Sequence, residues 1–414
     1  MRRRSGTLLL LSLVLAACTP KASESAVPSA ASLEPSEAAP SASVHAGLPM
    51  AACTDTYYPS DEQIAATAPG EIIQSVEILA YPGTRAWFVV YGSTGLDGQP
   101  VAVSGMIVAP EQAPAEGGYP IVAWAHGTSG IADTCAPSVE GVNGLPPQIR
   151  ELVKEGYVVT ATDYEGLGTD GVHPYIVGRS EGRSVLDSIS AAIRLPEAHA
   201  GDQAVAIGLS QGGHAALWAA QLKPTYAPEL ALLGAFAASP PTDLLGFETW
   251  AFEQAALGNV QAAYAPLLLF GVWNAIYDAP LNFLTDAGRS SALAGRDGCN
   301  PTELTITPYT SDPAGIAEWR ALLFGNSPGA EVTDVPIRVV SPENDESVAH
   351  DTQVAGVETM CAVGDTVELW NVQGGHIDSI ATPAAWDEAE TWIQDRFAGV
   401  AAVSTCSASA TSAP

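Results

Sequence analysis

Ala204-Val205-Ala206-Ile207-Gly208-Leu209-Ser210-Gln211-Gly212-Gly213-His214-Ala215-Ala216-Leu217-Trp218-Ala219-Ala220 is the stretch that decides the fold. Its first four residues are short, apolar and partly β-branched, the pattern of a buried strand. The run from Gly213 to Ala220 is rich in alanine and apolar at helical spacing. Between them, Gly208 to Gly212 spell G-x-S-x-G. A serine on a sharp turn from strand to helix is a nucleophile elbow, and its flanking glycines let the backbone crowd where a side chain would not fit. Ser210 is therefore expected to present its hydroxyl beyond the end of a sheet, beside a helix N-terminus. A glycine-rich turn that merely packs is the alternative.

Outward from the elbow, strand and helix signals alternate. Strand-like runs at 71–79, 86–91, 101–109 and 119–125 come first, then helix 148–155, strand 157–162 and helix 179–192. Beyond the elbow lie strand 232–238, strand 336–341, helix 348–363, strand 366–372 and helix 384–397. This order predicts an α/β domain with a mostly parallel central sheet flanked by helices. Residues 240–332 break the alternation and carry Trp250, Phe252, Tyr264, Phe270, Trp273, Tyr277, Phe283 and Trp319. They read as a mainly helical cap, or lid, inserted before the late strands. Its aromatics either fill the cap's own core or line an acyl site, and the two roles are compatible.

A serine hydroxyl is a weak nucleophile at neutral pH and needs a base held by a third group. In the order Ser, acid, His, the base is expected at His376, in the glycine-rich loop Gln373-Gly374-Gly375-His376 after a late strand. His214, His350, His173, His199 and His45 are the competitors. The acid is expected at Asp345, in the loop after strand 336–341, with Glu343, Glu346 and Asp351 as rivals. The oxyanion needs amide donors: one is expected from Gln211, the other from Thr128 or Gly127 in His126-Gly127-Thr128-Ser129-Gly130. His126 itself reads as a residue that fixes this loop. No metal or cofactor is called for.

The chain has 414 residues and a formal net charge of −30, with only 16 lysines and arginines. That balance excludes nucleic acid as a partner, which needs basic patches, and favours a neutral, apolar or weakly polar substrate. Oligomeric state is not written in the sequence. Arg2-Arg3-Arg4 and the apolar run 8–17 read as a leader too short to span as a mature helix. Val14-Leu15-Ala16-Ala17-Cys18 resembles a bacterial lipobox, where cleavage leaves an acylated cysteine. The expected plan is leader 1–17, Ala/Ser/Pro tether 18–49, catalytic globule 50–406 and tail 407–414. Such a protein sits at the cell envelope, its membrane contact made by lipid at Cys18. An ordinary secretory leader, giving a freely secreted protein, is the alternative. Export implies an oxidising compartment, where Cys53, Cys135, Cys299, Cys361 and Cys406 allow two bridges and one odd thiol.

Four blocks together resemble the secretory lipase family of α/β-hydrolases, which includes fungal lipase A-type enzymes. They are Ala125-His126-Gly127-Thr128 with Cys135-Ala136-Pro137-Ser138; Asp163 to Gly168 with Gly178-Arg179 and Val185-Leu186-Asp187; the serine elbow; and the Asp345 and His376 loops. The resemblance spans roughly residues 50–406. It implies an α/β-hydrolase fold with a helical lid, hydrolysis of carboxylic esters such as neutral lipids through an acyl-enzyme, and bridges Cys135–Cys299 and Cys361–Cys406 with Cys53 left over. A serine peptidase or amidase, and a non-catalytic surface binding protein on the same scaffold, are the competing readings.

Overall fold

A computed structural model describes residues 59–114, 116–299 and 307–406. The leader, the tether, Cys18, Cys53 and the tail 407–414 lie outside them. After a short helix α1 (Asp61–Ala66), three strands β1 (Ile72–Ile78), β2 (Thr84–Thr94) and β3 (Pro100–Pro110) meander antiparallel. Then strands and helices alternate: β4 (Tyr119–Ala125), α2 (Pro147–Lys154), β5 (Val158–Thr162), α3 (Gly178–Arg194), β6 (Ala200–Leu209), α4 (Gln211–Tyr226) and β7 (Ala231–Ala238). Four helices follow among the described residues before the sheet resumes: α5 (Leu244–Ala256), α6 (Tyr264–Tyr277), α7 (Asp286–Gly295) and α8 (Ala317–Asn326). The chain ends with β8 (Ile337–Pro342), α9 (His350–Val363), β9 (Val367–Val372), α10 (Asp378–Ala381) and α11 (Pro383–Phe397).

The sheet has nine strands in the order β1-β2-β3-β5-β4-β6-β7-β8-β9. From β5 to β9 every neighbouring pair is parallel, as helical crossover connections allow. Strand periodicity splits the core in two. Ile121, Ala123 and Ala125 of β4 pack with α3 and α4 on one face. Val122 and Trp124 pack with α2 and α11 on the other. Both faces are thus buried, which is why these strands read as continuous apolar runs.

Element ends lie close to their sequence signals, some running beyond them and some stopping short, with two instructive differences. Strand β6 begins at Ala200, because Tyr119 of β4 pairs with it before the apolar run starts. Helix α9 begins at His350, two residues later than the pattern suggests, because the Val348 amide is already bonded to Asp345. The inserted helices have a core of their own, in which Trp273 and Trp319 stack 5.9 Å apart and Phe270 meets Phe283 edge-on. Most of the insertion's aromatics are accounted for by that packing; Tyr264 also faces the site described below. No helix among the described residues is long and apolar enough to cross a membrane. Two disulfides form: Cys135–Cys299 ties the loop after β4 to the insertion, and Cys361–Cys406 ties α9 to the C-terminal segment.

Candidate active site

The C-terminal ends of β4, β6, β7, β8 and β9 converge, and the residues just beyond them build the site, as open parallel sheets favour. Ser210 sits between β6 and α4 at φ 59°, ψ −120°, a conformation side chains rarely adopt. Two close approaches force it. A Cβ on Gly208 would lie 2.1 Å from the Gly212 carbonyl oxygen, and one on Gly212 would lie 1.9 Å from that of Ala125. The Ser210 amide is pinned to Ala238 at the end of β7 (2.8 Å), and its carbonyl accepts the His214 amide (3.0 Å). Gln211 is the first residue of α4, so its N–H has no intrahelical acceptor and points out of the helix end.

Asp345 and His376 meet across the adjacent ends of β8 and β9. His376 Nδ1 is 2.9 Å from each oxygen of Asp345. Asp345 also accepts the amides of Ser347 (2.9 Å) and Val348 (2.8 Å) and the side-chain amide of Gln353 (3.0 Å). The His376 carbonyl accepts the hydroxyls of Ser239 and Ser379, and its amide donates to Glu346. Ser210, His376, Gly127, Thr128 and Trp124 line one cavity of about 460 Å³, together with Pro137, Pro146, Leu209, Tyr264, Ala265 and Ile377. The Ser210–His376 hydrogen bond is not closed in this structure; such contacts commonly tighten only when substrate binds.

The rivals are otherwise engaged. Glu343 accepts from Gln373, Glu346 holds the His376 amide, and Asp351 lies in the first turn of α9. His350 bonds Ser341, His199 is exposed in a turn, and His45 lies outside the described residues. His214 is buried in α4 with Nδ1 on Glu181 (2.8 Å) and Nε2 on the Asn326 carbonyl (2.8 Å). His173 donates Nδ1–H to the Glu165 carbonyl (2.9 Å), so its Nε2 accepts from Gln211 (2.9 Å). Burial holds its pKa down at about 4, which keeps it neutral.

The loop from His126 to Gly130 runs beside Ser210: a Cβ on Gly127 would lie 3.8 Å from Ser210 Cβ. Its anchors are aromatic. Tyr164 donates to the His126 carbonyl (2.9 Å), His126 Nδ1 donates to the Gly127 carbonyl (2.7 Å), and Tyr175 bonds the Thr128 hydroxyl (2.8 Å). His126 is 6% exposed and its pKa is lowered by burial, so it braces the loop as a neutral ring. Sequence reasoning missed Glu181. It is fully buried, and its carboxylate receives the Ile176 amide, the Gln211 side chain (2.8 Å) and His214. Nothing local marks that glutamate; only the fold brings α3 against the first turn of α4. No group of three or more His, Cys, Asp or Glu side chains is placed to hold a metal ion among the described residues.

A family model described as Secretory lipase matches residues 147–278, a span that contains Ser210 and stops before Asp345 and His376. The chain is 26% identical over 406 residues to Lipase 6 of Candida albicans, covering 85% of this chain and 83% of that one. It is 30% identical over 216 residues to a probable inactive lipase of Mycobacterium tuberculosis, covering 47% of each. Its fold matches lipase A of Candida antarctica at a TM-score of 0.69 and 21% identity, covering 87% of this chain and 89% of that one.

Proposed function

We propose, for this hydrolase of the lipase/esterase class, that Ser210, His376 and Asp345 act as nucleophile, general base and orienting acid in cleaving carboxylic esters of apolar acids. The His376–Asp345 geometry carries the reading. With Nδ1–H committed to Asp345, Nε2 is the lone-pair nitrogen, the one that takes a proton from Ser210 as it attacks the ester carbonyl. The amides of Gln211 and of Thr128 or Gly127 receive the oxyanion, and loss of one such donor typically costs about 3 kcal/mol of transition-state stabilisation. His376 then returns the proton to the leaving alcohol. Water, activated the same way, releases the acid.

The cavity wall is predominantly apolar, which suits an acyl chain, and the inserted helices that supply Tyr264 and Ala265 serve as its cap. A peptidase that grips a charged peptide terminus would need a charged pocket, and among the described residues no Asp, Glu, Lys or Arg lines this cavity. The non-catalytic reading has one observation in its favour, the likeness to a probable inactive lipase. Against it stand the hydrogen-bonded Asp345–His376 pair and the strained Ser210. The protein is exported, and its lipobox-like leader supports anchoring by lipid at Cys18. Cys18→Ser is expected to move the protein from the envelope to the medium.

The deciding experiment compares wild type with Ser210→Ala on p-nitrophenyl butyrate, with fluorophosphonate labelling in parallel. Hydrolysis and labelling are both expected to vanish in the variant. Equal rates would overturn the proposal.

A further inference from the structure

Tyr175 joins the oxyanion loop to the inserted helices. Its ring is 2% exposed, its phenol lies 2.8 Å from Thr128 Oγ1, and its carbonyl accepts Nε1–H of Trp273 in α6 at 2.9 Å. Among the described residues Thr128 is the phenol's hydrogen-bond partner and no second one exists. A buried hydroxyl without an acceptor is costly, so the phenol donates and Thr128 Oγ1 accepts. Burial raises the phenol's pKa, which keeps that proton in place. The hydroxyl proton of Thr128 is then left without a protein acceptor. Thr128 lines the cavity that holds Ser210 and His376, and the adjacent Gly127 passes close to Ser210.

We propose that the Thr128 hydroxyl is a side-chain donor to the oxyanion, oriented by Tyr175 as a positioning residue. The inference rests on the ester-hydrolase reading above. A preoriented O–H donor gains strength as negative charge grows on the carbonyl oxygen, so it acts on the barrier more than on substrate affinity. Through the Trp273 bond, the position of α6 also bears on the donor.

The test measures kcat and KM on p-nitrophenyl butyrate, and inhibition by an alkylboronic acid as a tetrahedral mimic. Thr128→Val is expected to lower kcat about 100-fold, with KM changed less than about threefold. Boronate affinity should fall with kcat, and Thr128→Ser should recover most of both. Tyr175→Phe is expected to lower kcat about tenfold in wild type and by less than about twofold in the Thr128→Val background. Tyr175→Phe keeps the ring and the Trp273 bond, so it carries the test alone if Thr128→Val does not fold. Thr128→Val with kcat within threefold of wild type would overturn the inference. So would a Tyr175→Phe loss that persists in full without the Thr128 hydroxyl, or a kcat loss produced instead by Ser129→Ala, whose buried hydroxyl faces the same cavity. An inactive wild type would defeat the ester-hydrolase reading itself; an active wild type indifferent to Thr128→Val defeats only this one.

Discussion

His376 Nδ1 is equidistant, at 2.9 Å, from the two carboxylate oxygens of Asp345, 31 residues earlier in the chain. The pairing exists because β8 and β9 lie side by side in parallel, so their following loops emerge together. Asp345 is 7% exposed, and its other contacts are all N–H donors. On the proposed mechanism, a carboxylate so placed would fix the imidazole tautomer and stabilise the imidazolium formed during attack.

Asp345→Asn is therefore expected to lower kcat by about 10⁴, with little change in KM. An amide would direct its own donors at Nδ1, or at the Ser347 and Val348 amides, and either choice disfavours the productive tautomer. Steady-state kinetics on p-nitrophenyl butyrate check this. Gln353→Leu, which removes one neutral donor to Asp345, should cost far less. Equal losses from the two substitutions would mean that the carboxylate serves packing alone.

The elbow predicts a trade of stability for activity. Ser210 holds φ 59°, ψ −120°, a backbone that glycine adopts without the Cβ penalty. Such strain costs on the order of 1–3 kcal/mol, partly offset by the flexibility of glycine in the unfolded chain. Ser210→Gly is expected to be inactive yet to raise the thermal midpoint by about 1–3 °C. Calorimetry at one scan rate reads it, and a lowered midpoint would show that the elbow is not strained.

How much of this was legible follows from where each partner lies. The elbow is local: glycine, serine and the strand-to-helix switch sit within a dozen residues, and two backbone approaches below 2.5 Å explain the glycines. The pairing of Asp345 with His376 was legible through chain order and the loops they occupy. Glu181 and Tyr175 were not, because they act on Gln211, 30 residues away, and on Thr128, 47 residues away. No spacing rule links such pairs before the sheet order is known. His214 looked like a rival base until its burial against Glu181 removed it from the cavity. The insertion's aromatics were ambiguous because packing and substrate contact use the same side chains. The structure assigns Phe270, Trp273 and Trp319 to packing.

Acid should loosen the support behind Gln211. His173 is buried and neutral, with its pKa lowered from 6.5 to about 4. Lowering below the unfolded value means that unfolding takes up a proton between these limits. The stability linked to His173 is therefore complete above pH 6.5 and is lost as pH falls toward 4. Protonated, the ring would set Nε2–H against the Gln211 amide donor. His173→Asn is expected to show a shallower stability slope across pH 6.5–4, by up to about 1.4 kcal/mol per pH unit. Urea denaturation at several pH values measures it, and parallel slopes would assign the acid limb to other groups.

Acyl-chain preference follows from the cavity. The cavity of about 460 Å³, lined by Trp124, Pro137, Pro146 and Leu209 and by Tyr264 and Ala265 of the inserted helices, has room for a short acyl group. On the proposed reading, a short acyl group fits with α6 in place, and a long one would extend past Tyr264 and Ala265. In monomeric solution, p-nitrophenyl butyrate is expected to be cleaved at least about tenfold faster, in kcat/KM, than the palmitate ester. Tyr264 is the one aromatic side chain from the insertion that faces the cavity among the described residues, and it is half-buried. Truncating it opens the wall and trims the edge of the insertion's core, on which Tyr264 also packs, while the stacked Trp273–Trp319 pair stays in place. Tyr264→Ala should therefore shift the optimum toward longer chains while leaving fluorophosphonate labelling of Ser210 intact. A chain-length profile across acetate to palmitate, run with each protein below and above substrate aggregation, reads both effects. An unchanged profile in the variant would place the acyl chain elsewhere, along the wall formed by Pro137, Pro146 and Ile377.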